Sequence, residues 1–196
     1  MRTRDTEKEA LVKQHAVELL ALSGFEGFSM NKLAKRCAMS VATLYIYYRD
    51  KDDLIVQIGR EQVHAMRQAE IVHLDPNTSF AQGLRTQWHN RYSYLMANPL
   101  LVPFFEQLRS SSYQAQVYTG LRDAAADVLQ QFRHQAVARG ELAPLAPVVY
   151  WALAFAPLQA LLRAHHEGKG AGNQPFVLTE ALVWQAFELV LKALQP

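Results

Sequence analysis

Periodicity narrows the fold first. Alternation of apolar and polar residues at period two is nearly absent from this 196-residue chain, while apolar residues recur at three- and four-residue spacing over long segments. A strand that buries one face needs the first pattern and a helix needs the second. The chain is therefore expected to be all-α, with about nine helices. Thr6 followed by Glu9 reads as a capping box opening the first helix. Its broad apolar face carries Ala10, Leu11, Val17, Leu20 and Ala21, and Gly24 ends it. A second helix of about ten residues places Met30, Leu33, Ala34 and Cys37 on one stripe. Ser40 caps a third over 41–48, and Asp50 caps a fourth reaching residue 72. Further helices are expected over 79–97, 100–110, 112–138, 147–167 and 179–194. Pro157 should kink the second last of these, and residues 168–175, GKGAGNQP, form a flexible loop by composition.

Composition excludes more than it assigns. Twenty Lys and Arg against eighteen Asp and Glu leave a formal charge of +2, too slight to indicate a polyanionic partner. The single cysteine, Cys37, excludes an internal disulfide and a thiolate zinc cluster, and fits a small buried hydrophobe. The opening MRTRDTEKEA is too charged for a secretory signal, and no run of roughly eighteen apolar residues is present to span a membrane. A reduced, cytoplasmic protein is expected. No phosphate-binding glycine loop, nucleophile elbow or zinc-protease motif occurs, so neither an enzyme nor a cofactor or metal is expected. The adjacent His165 and His166 project about 100° apart on a helix and suit its negative end better than a shared metal.

The informative stretch is residues 28–54, FSMNKLAKRCAMSVATLYIYYRDKDDL. Two short helices joined by about three residues form a helix-turn-helix, here over 29–48. A helix entering the major groove needs small or hydrogen-bonding side chains at its leading end, and Ser40, Val41, Ala42 and Thr43 supply them. Leu44 and Tyr48, four apart, face inward. Tyr45 and Tyr47 then project sideways toward phosphates, and Lys51 opens the next helix as a phosphate clamp. Ser29 and Lys32 complete the candidate DNA-binding set. Residues 1–54 carry nine basic and eight acidic side chains, so DNA binding requires spatial segregation, with Arg2, Arg4, Lys32, Lys35 and Lys51 toward the duplex.

The run LAKRCAMSVATLYIYYRDKDDL resembles the DNA-binding segment of tetracycline-repressor (TetR) family regulators. The match rests on Ala34, Ser40, Thr43, Leu44, Tyr45, Tyr47, Lys51, Asp53 and Leu54. Tyr48 stands where the family commonly has Phe, Met39 where Val is usual, and Ala38 where the turn has Gly. The resemblance implies a homodimeric transcriptional regulator, usually a repressor, on a palindromic operator in double-stranded DNA. It also implies a small-molecule effector bound in the C-terminal part. The corresponding division is a DNA-binding domain over 6–66 and a ligand-binding and dimerisation domain over 67–196. The competing reading is an α-helical small-molecule-binding or adaptor protein with vestigial DNA binding.

Beyond residue 79 aromatics are frequent, and most of them serve a core. Candidates for a ligand pocket are Trp88, His89, Tyr92, Phe105, Tyr118, Trp151, Phe155 and Gln159, with Gln87 and Gln107 as further polar fixtures. Few acids accompany them, which suits an apolar effector that is neutral or anionic. The last helix is apolar almost all round and needs a second surface to cover it. Leu158, Leu162, Val183, Trp184, Phe187 and Leu191 are the expected homodimer seam.

Overall fold

A computed structural model describes residues 2–121 and 123–196, with the backbone alone for residues 2–6. The described residues form eleven α-helices and no strand. They are α1 Arg2–Gly27, α2 Met30–Arg36, α3 Val41–Tyr47, α4 Lys51–Glu70, α5 Phe80–Ala97, α6 Leu101–Ser110, α7 Gln114–Tyr118, α8 Ala124–Ala138, α9 Pro147–Ala154, α10 Ala156–Glu167 and α11 Glu180–Leu194. No single helix among the described residues is long and apolar enough to cross a membrane. The chain divides into two compact units, Met1–Val63 with Leu100–Leu121, and His64–Pro99 with Arg122–Pro196.

Two of the expected helices are each two. The run over 112–138 breaks at Gly120, whose φ of 69° is left-handed, and restarts where the Asp123 side chain accepts from Ala126 N–H at 2.8 Å. The run over 147–167 breaks at Phe155 with a 43° bend, and Pro157 sits in the first turn of α10. The kink expected from Pro157 is present. Proline donates no N–H, so the helix before it loses bonds at its C-terminal end. The carbonyl so deprived is that of Leu153, and at the break the next one, Ala154 C=O, accepts from the Trp88 indole N–H at 2.8 Å.

In the first unit, α1 already includes Thr6, so the capping box expected there does not start the helix; the Thr6 side chain lies outside the described residues. The inward stripe of α1 is Val12, Ala16 and Leu20, at i, i+4 and i+8, with Ala10 and Leu11 turned outward. Gly24, at φ 70° and ψ 170°, interrupts the helix before a last turn that brings in Phe25. Phe25 packs against Phe104 at 6.0 Å and Tyr113 at 5.7 Å between ring centroids. Helices α6 and α7 thereby join the same core as Leu33, Leu44, Leu54 and Ile58. Gly59 permits the close approach of α4 to α7, because a Cβ there would fall 2.6 Å from Val117 Cγ2. Tyr113 O–H donates to Asp52 Oδ1 and Arg60 donates to the Gln116 carbonyl at 3.0 Å, fixing that contact at both ends.

In the second unit, the core is aromatic. Phe80 stacks on Phe132 at 5.9 Å, and Trp88 meets Phe187 edge-on at 5.5 Å. Glu70 and Arg91 form an ion pair of 2.9 Å inside it, at 5% and 8% exposure. The segment 168–175 is more ordered than its composition suggests. It holds a 3-10 turn over Ala171–Asn173, and Gly170 N–H donates to Gln174 C=O at 2.8 Å.

Candidate nucleic-acid interface

Each helix of the helix-turn-helix starts on a serine. Ser29 Oγ accepts from Lys32 N–H at 3.3 Å and Ser40 Oγ from Thr43 N–H at 3.1 Å. These caps satisfy donors that a short helix cannot satisfy internally. Between them α2 ends in a Schellman turn: Met39 N–H donates to Ala34 C=O at 2.9 Å and Ala38 N–H to Lys35 C=O at 3.3 Å. That turn needs one left-handed residue, and Ala38 provides it at φ 52°. An alanine there suffers its Cβ against the following carbonyl. Ala38→Gly is therefore expected to raise stability by about 1 kcal/mol without altering the turn, read as a higher urea midpoint at unchanged slope.

The turn sets how α3 is rotated. Leu44 and Tyr48 are buried, as their four-residue spacing requires. The Tyr48 hydroxyl lies in that core without a hydrogen-bond partner among the described residues, and burial pushes it up to about 12. The opposite face carries Ala42, Tyr45 and Ile46, with Tyr45 51% and Ile46 78% exposed. Ser40 Oγ and Thr43 Oγ1 lie 2.9 Å apart, so each hydroxyl is hydrogen-bonded to the other. Val41, Thr43 and Tyr47 are half-buried at the flanks. Ile46 is the residue the sequence reading passed over. A turn of 100° per residue from Leu44 brings residue 46 to 200°, straight away from the core, so the signal was in the spacing.

The cations are partly spent on the protein itself. Arg36 donates to Glu18 Oε2 through Nη2 at 2.7 Å and Nε at 3.1 Å, and Lys13 pairs with Glu9 and Glu61 at 2.8 and 2.7 Å. His15 and Arg36 together hold the Glu18 carboxyl below its usual range. Lys32 Nζ donates to the Gly27 carbonyl at 2.8 Å. Lys35 and Lys51 make no ion pair among the described residues, whereas the side chains of Arg2 and Arg4 lie outside them. At the start of α4, Asp50 Oδ1 accepts from Asp53 N–H at 2.8 Å, and the Asp53 N–H with Arg49 keeps the Asp50 carboxyl low. The chain's own carboxylate thus occupies part of the helix terminus beside Lys51.

The remaining candidates fall in different places. Phe105 and Tyr118 belong to the first unit, while Trp88, His89, Tyr92, Trp151, Phe155 and Gln159 belong to the second. Gln87 is buried and donates back to the Gly83 carbonyl at 3.2 Å, and Gln107 is exposed on α6. Phe155 is buried edge-on to Tyr150 at 6.2 Å, and His89 lies exposed, stacked at 6.4 Å on Trp184. Of the expected dimer seam, Leu158, Leu162, Val183 and Phe187 are buried inside their own unit and offer no open surface. Their stripe is the one α11 turns to its own core. Trp184 is half-covered, with the Arg85 guanidinium 4.0 Å above its ring. The open apolar face lies elsewhere: Leu182 and Leu189 on α11, the latter 64% exposed, and Val148, Val149, Trp151 and Leu153 on α9.

Comparison with known proteins agrees with this geometry. The profile of the family described as "Bacterial regulatory proteins, tetR family" matches residues 14–58, which contain the whole helix-turn-helix. An uncharacterized HTH-type transcriptional regulator from Haemophilus influenzae is 27% identical over 156 residues, 79% of this chain and 81% of that protein. The crystal structure of a TetR family transcription regulator from Marinobacter aquaeolei is 26% identical with a TM-score of 0.82, over 99% of this chain and 98% of that one. FadR from Bacillus subtilis, solved with stearoyl-CoA, shares the fold at 17% identity and a TM-score of 0.73, over 95% of this chain and 100% of that one. A serine-capped helix-turn-helix inside the matched segment and a likeness extending over nearly the full length agree: residues 14–58 match the TetR family of bacterial regulatory proteins, and the chain as a whole is similar to TetR family transcription regulators.

Proposed function

We propose that this regulator is a ligand-responsive repressor that binds a palindromic operator as a homodimer in the cytoplasm. The observation that carries the reading is the outward face of α3, held by two serine caps and a Schellman turn and left open, with Lys35 in the last turn of α2 and Lys51 at the start of α4. Residues 6–66 form the DNA-binding domain in this reading, and 67–196 the ligand-binding and dimerisation domain. Val41, Ala42 and Thr43 meet base edges; Ser29, Lys32, Ser40, Tyr45, Tyr47 and Lys51 meet phosphates and fix the register. One helix-turn-helix makes few base contacts, and two copies over half-sites one helical turn apart supply the rest.

The second copy docks through the open faces of α9 and α11, where Leu182 and Leu189 extend the seam that Trp184 and Leu191 flank. The effector is a small apolar molecule, neutral or anionic. Its contacts come from Trp88, His89, Tyr92, Trp151, Phe155 and Gln159, all in the second unit. The stearoyl-CoA held by the Bacillus subtilis neighbour, an acyl chain on an anionic carrier, supports that class. Effector binding releases DNA by favouring a dimer with the wrong head spacing, and α4 carries the shift between domains.

Fluorescence anisotropy on a duplex from upstream of the chain's own gene, against a scrambled duplex, tests the reading. Sequence-dependent binding should weaken about 10³-fold between roughly 50 and 200 mM salt if about six phosphates are neutralised. Tyr45→Ala, at an exposed position, should lose about tenfold while leaving the oligomeric state unchanged. Weak binding that is equal on both duplexes and untouched by Tyr45→Ala favours the small-molecule-binding alternative.

A further inference from the structure

We infer that Ile46 is a specificity-determining residue and that it reads the 5-methyl group of a thymine in each half-site. The inference rests on the DNA-binding reading and adds which base chemistry α3 detects. An isolated exposed apolar side chain is ordinary on a protein surface. Ile46 differs through its place. It stands opposite the buried pair Leu44 and Tyr48, on the outward line of the second helix of a helix-turn-helix, next to Ala42 and Tyr45. At 78% exposure its side chain touches little of its own chain and stands free to meet a base.

The polar readers on this helix point to the same chemistry. The hydroxyls of Ser40 and Thr43 hold each other at 2.9 Å, and Ser40 also caps Thr43 N–H. Val41, Ala42 and Ile46 have no hydrogen-bonding atom in their side chains. With the Tyr45 hydroxyl directed to phosphate in the DNA-binding reading, the rest of this surface offers little to the donor and acceptor code of the major groove. What it can recognise there is the thymine methyl, the one apolar group any base pair presents on that edge. Ile46 is the longest apolar side chain on that face, and its branched Cβ holds two carbons outward in a restricted rotamer.

The test uses an operator selected by the full-length protein from a pool of random duplexes. Each thymine of the half-site is replaced in turn by deoxyuridine, which keeps the pairing and removes only the methyl. The wild-type protein should lose about fourfold in affinity at one position per half-site, and about fifteenfold when both half-sites are changed. In Ile46→Ala the ratio between thymine and deoxyuridine operators at that position should fall to about one, while Ile46→Val should retain most of it. An unchanged circular dichroism spectrum and dimer in both variants separates recognition from folding. Wild-type binding indifferent to every deoxyuridine overturns the inference, and so does a penalty that persists in Ile46→Ala. A protein that selects no sequence at all overturns the DNA-binding reading, and this inference with it.

Discussion

Glu70→Ala is expected to cost about 3–5 kcal/mol of stability, a large share of what a domain of this size has. Glu70 and Arg91 face each other at 2.9 Å inside the second unit, and neither retains appreciable contact with water. Arg91 cannot shed its proton at any ordinary pH, so removing the carboxylate leaves a full charge buried without its partner. Its Nε–H already lacks an acceptor among the described residues, and the guanidinium lies 5.1 Å over the Phe155 ring.

Arg91→Met should behave differently. Burial pushes the Glu70 carboxyl up while Arg91 pulls it back, and removal of the arginine frees the upward shift. The carboxyl then takes a proton rather than stay charged. A group whose folded value is raised contributes its stability fully below the unfolded value, ordinarily 4.5, and loses it as pH rises through the folded value. The penalty of Arg91→Met should therefore be small near about pH 4 and grow toward neutrality, while that of Glu70→Ala, which removes the raised carboxyl itself, should not grow over the same range. The double variant Glu70→Leu/Arg91→Met should recover most of the loss, since apolar replacement of a whole buried pair is often neutral or better. Urea midpoints of the four proteins at three pH values measure all of this. A Glu70→Ala penalty below about 1 kcal/mol would show that water reaches the pair.

Leu189→Asp should convert the proposed dimer to a monomer and lower operator affinity by about 10²–10⁴-fold, the range that joining two reading heads contributes. Leu189 is open in its own chain, so an aspartate there disturbs no intramolecular packing and the unfolding free energy of the monomer should change by less than about 1 kcal/mol. Placed in an apolar seam between copies, the same carboxylate would be buried without a partner. Phe187 cannot serve this test, because it packs against Trp88 at 5.5 Å and its loss would unfold the unit first. Sedimentation velocity at micromolar concentration decides: a Leu189→Asp protein that remains dimeric places the seam elsewhere.

The helix-turn-helix was legible because everything that makes it is local. Ser29 and Ser40 cap within three residues, Leu44 and Tyr48 lie one turn apart, and Ala38 sits at the position where the Schellman turn demands a left-handed residue. The bend at Pro157 was legible for the same reason. The break at Gly120 and the cap at Asp123 were equally local, and a continuous apolar rhythm masked them. Membership of α6 and α7 in the first unit was not legible, since it depends on Phe25 meeting Phe104 and Tyr113 far along the chain. Nor was the open side of α11. A helix apolar on every face has no preferred stripe until its neighbours are known, and only the fold shows that Val183 and Phe187 turn inward while Leu182 and Leu189 do not. Charge segregation lay beyond reach too, because the clasp of Arg36 on Glu18 joins residues 18 apart in sequence.

The left-handed Ala38 has an evolutionary consequence. A reading head that carries an alanine at φ 52° sits about 1 kcal/mol below the stability that one glycine would restore. That reserve can be drawn on without touching a base contact. Divergence toward a new operator, which must pass through destabilising changes on α3, therefore has a compensating substitution already available one turn away.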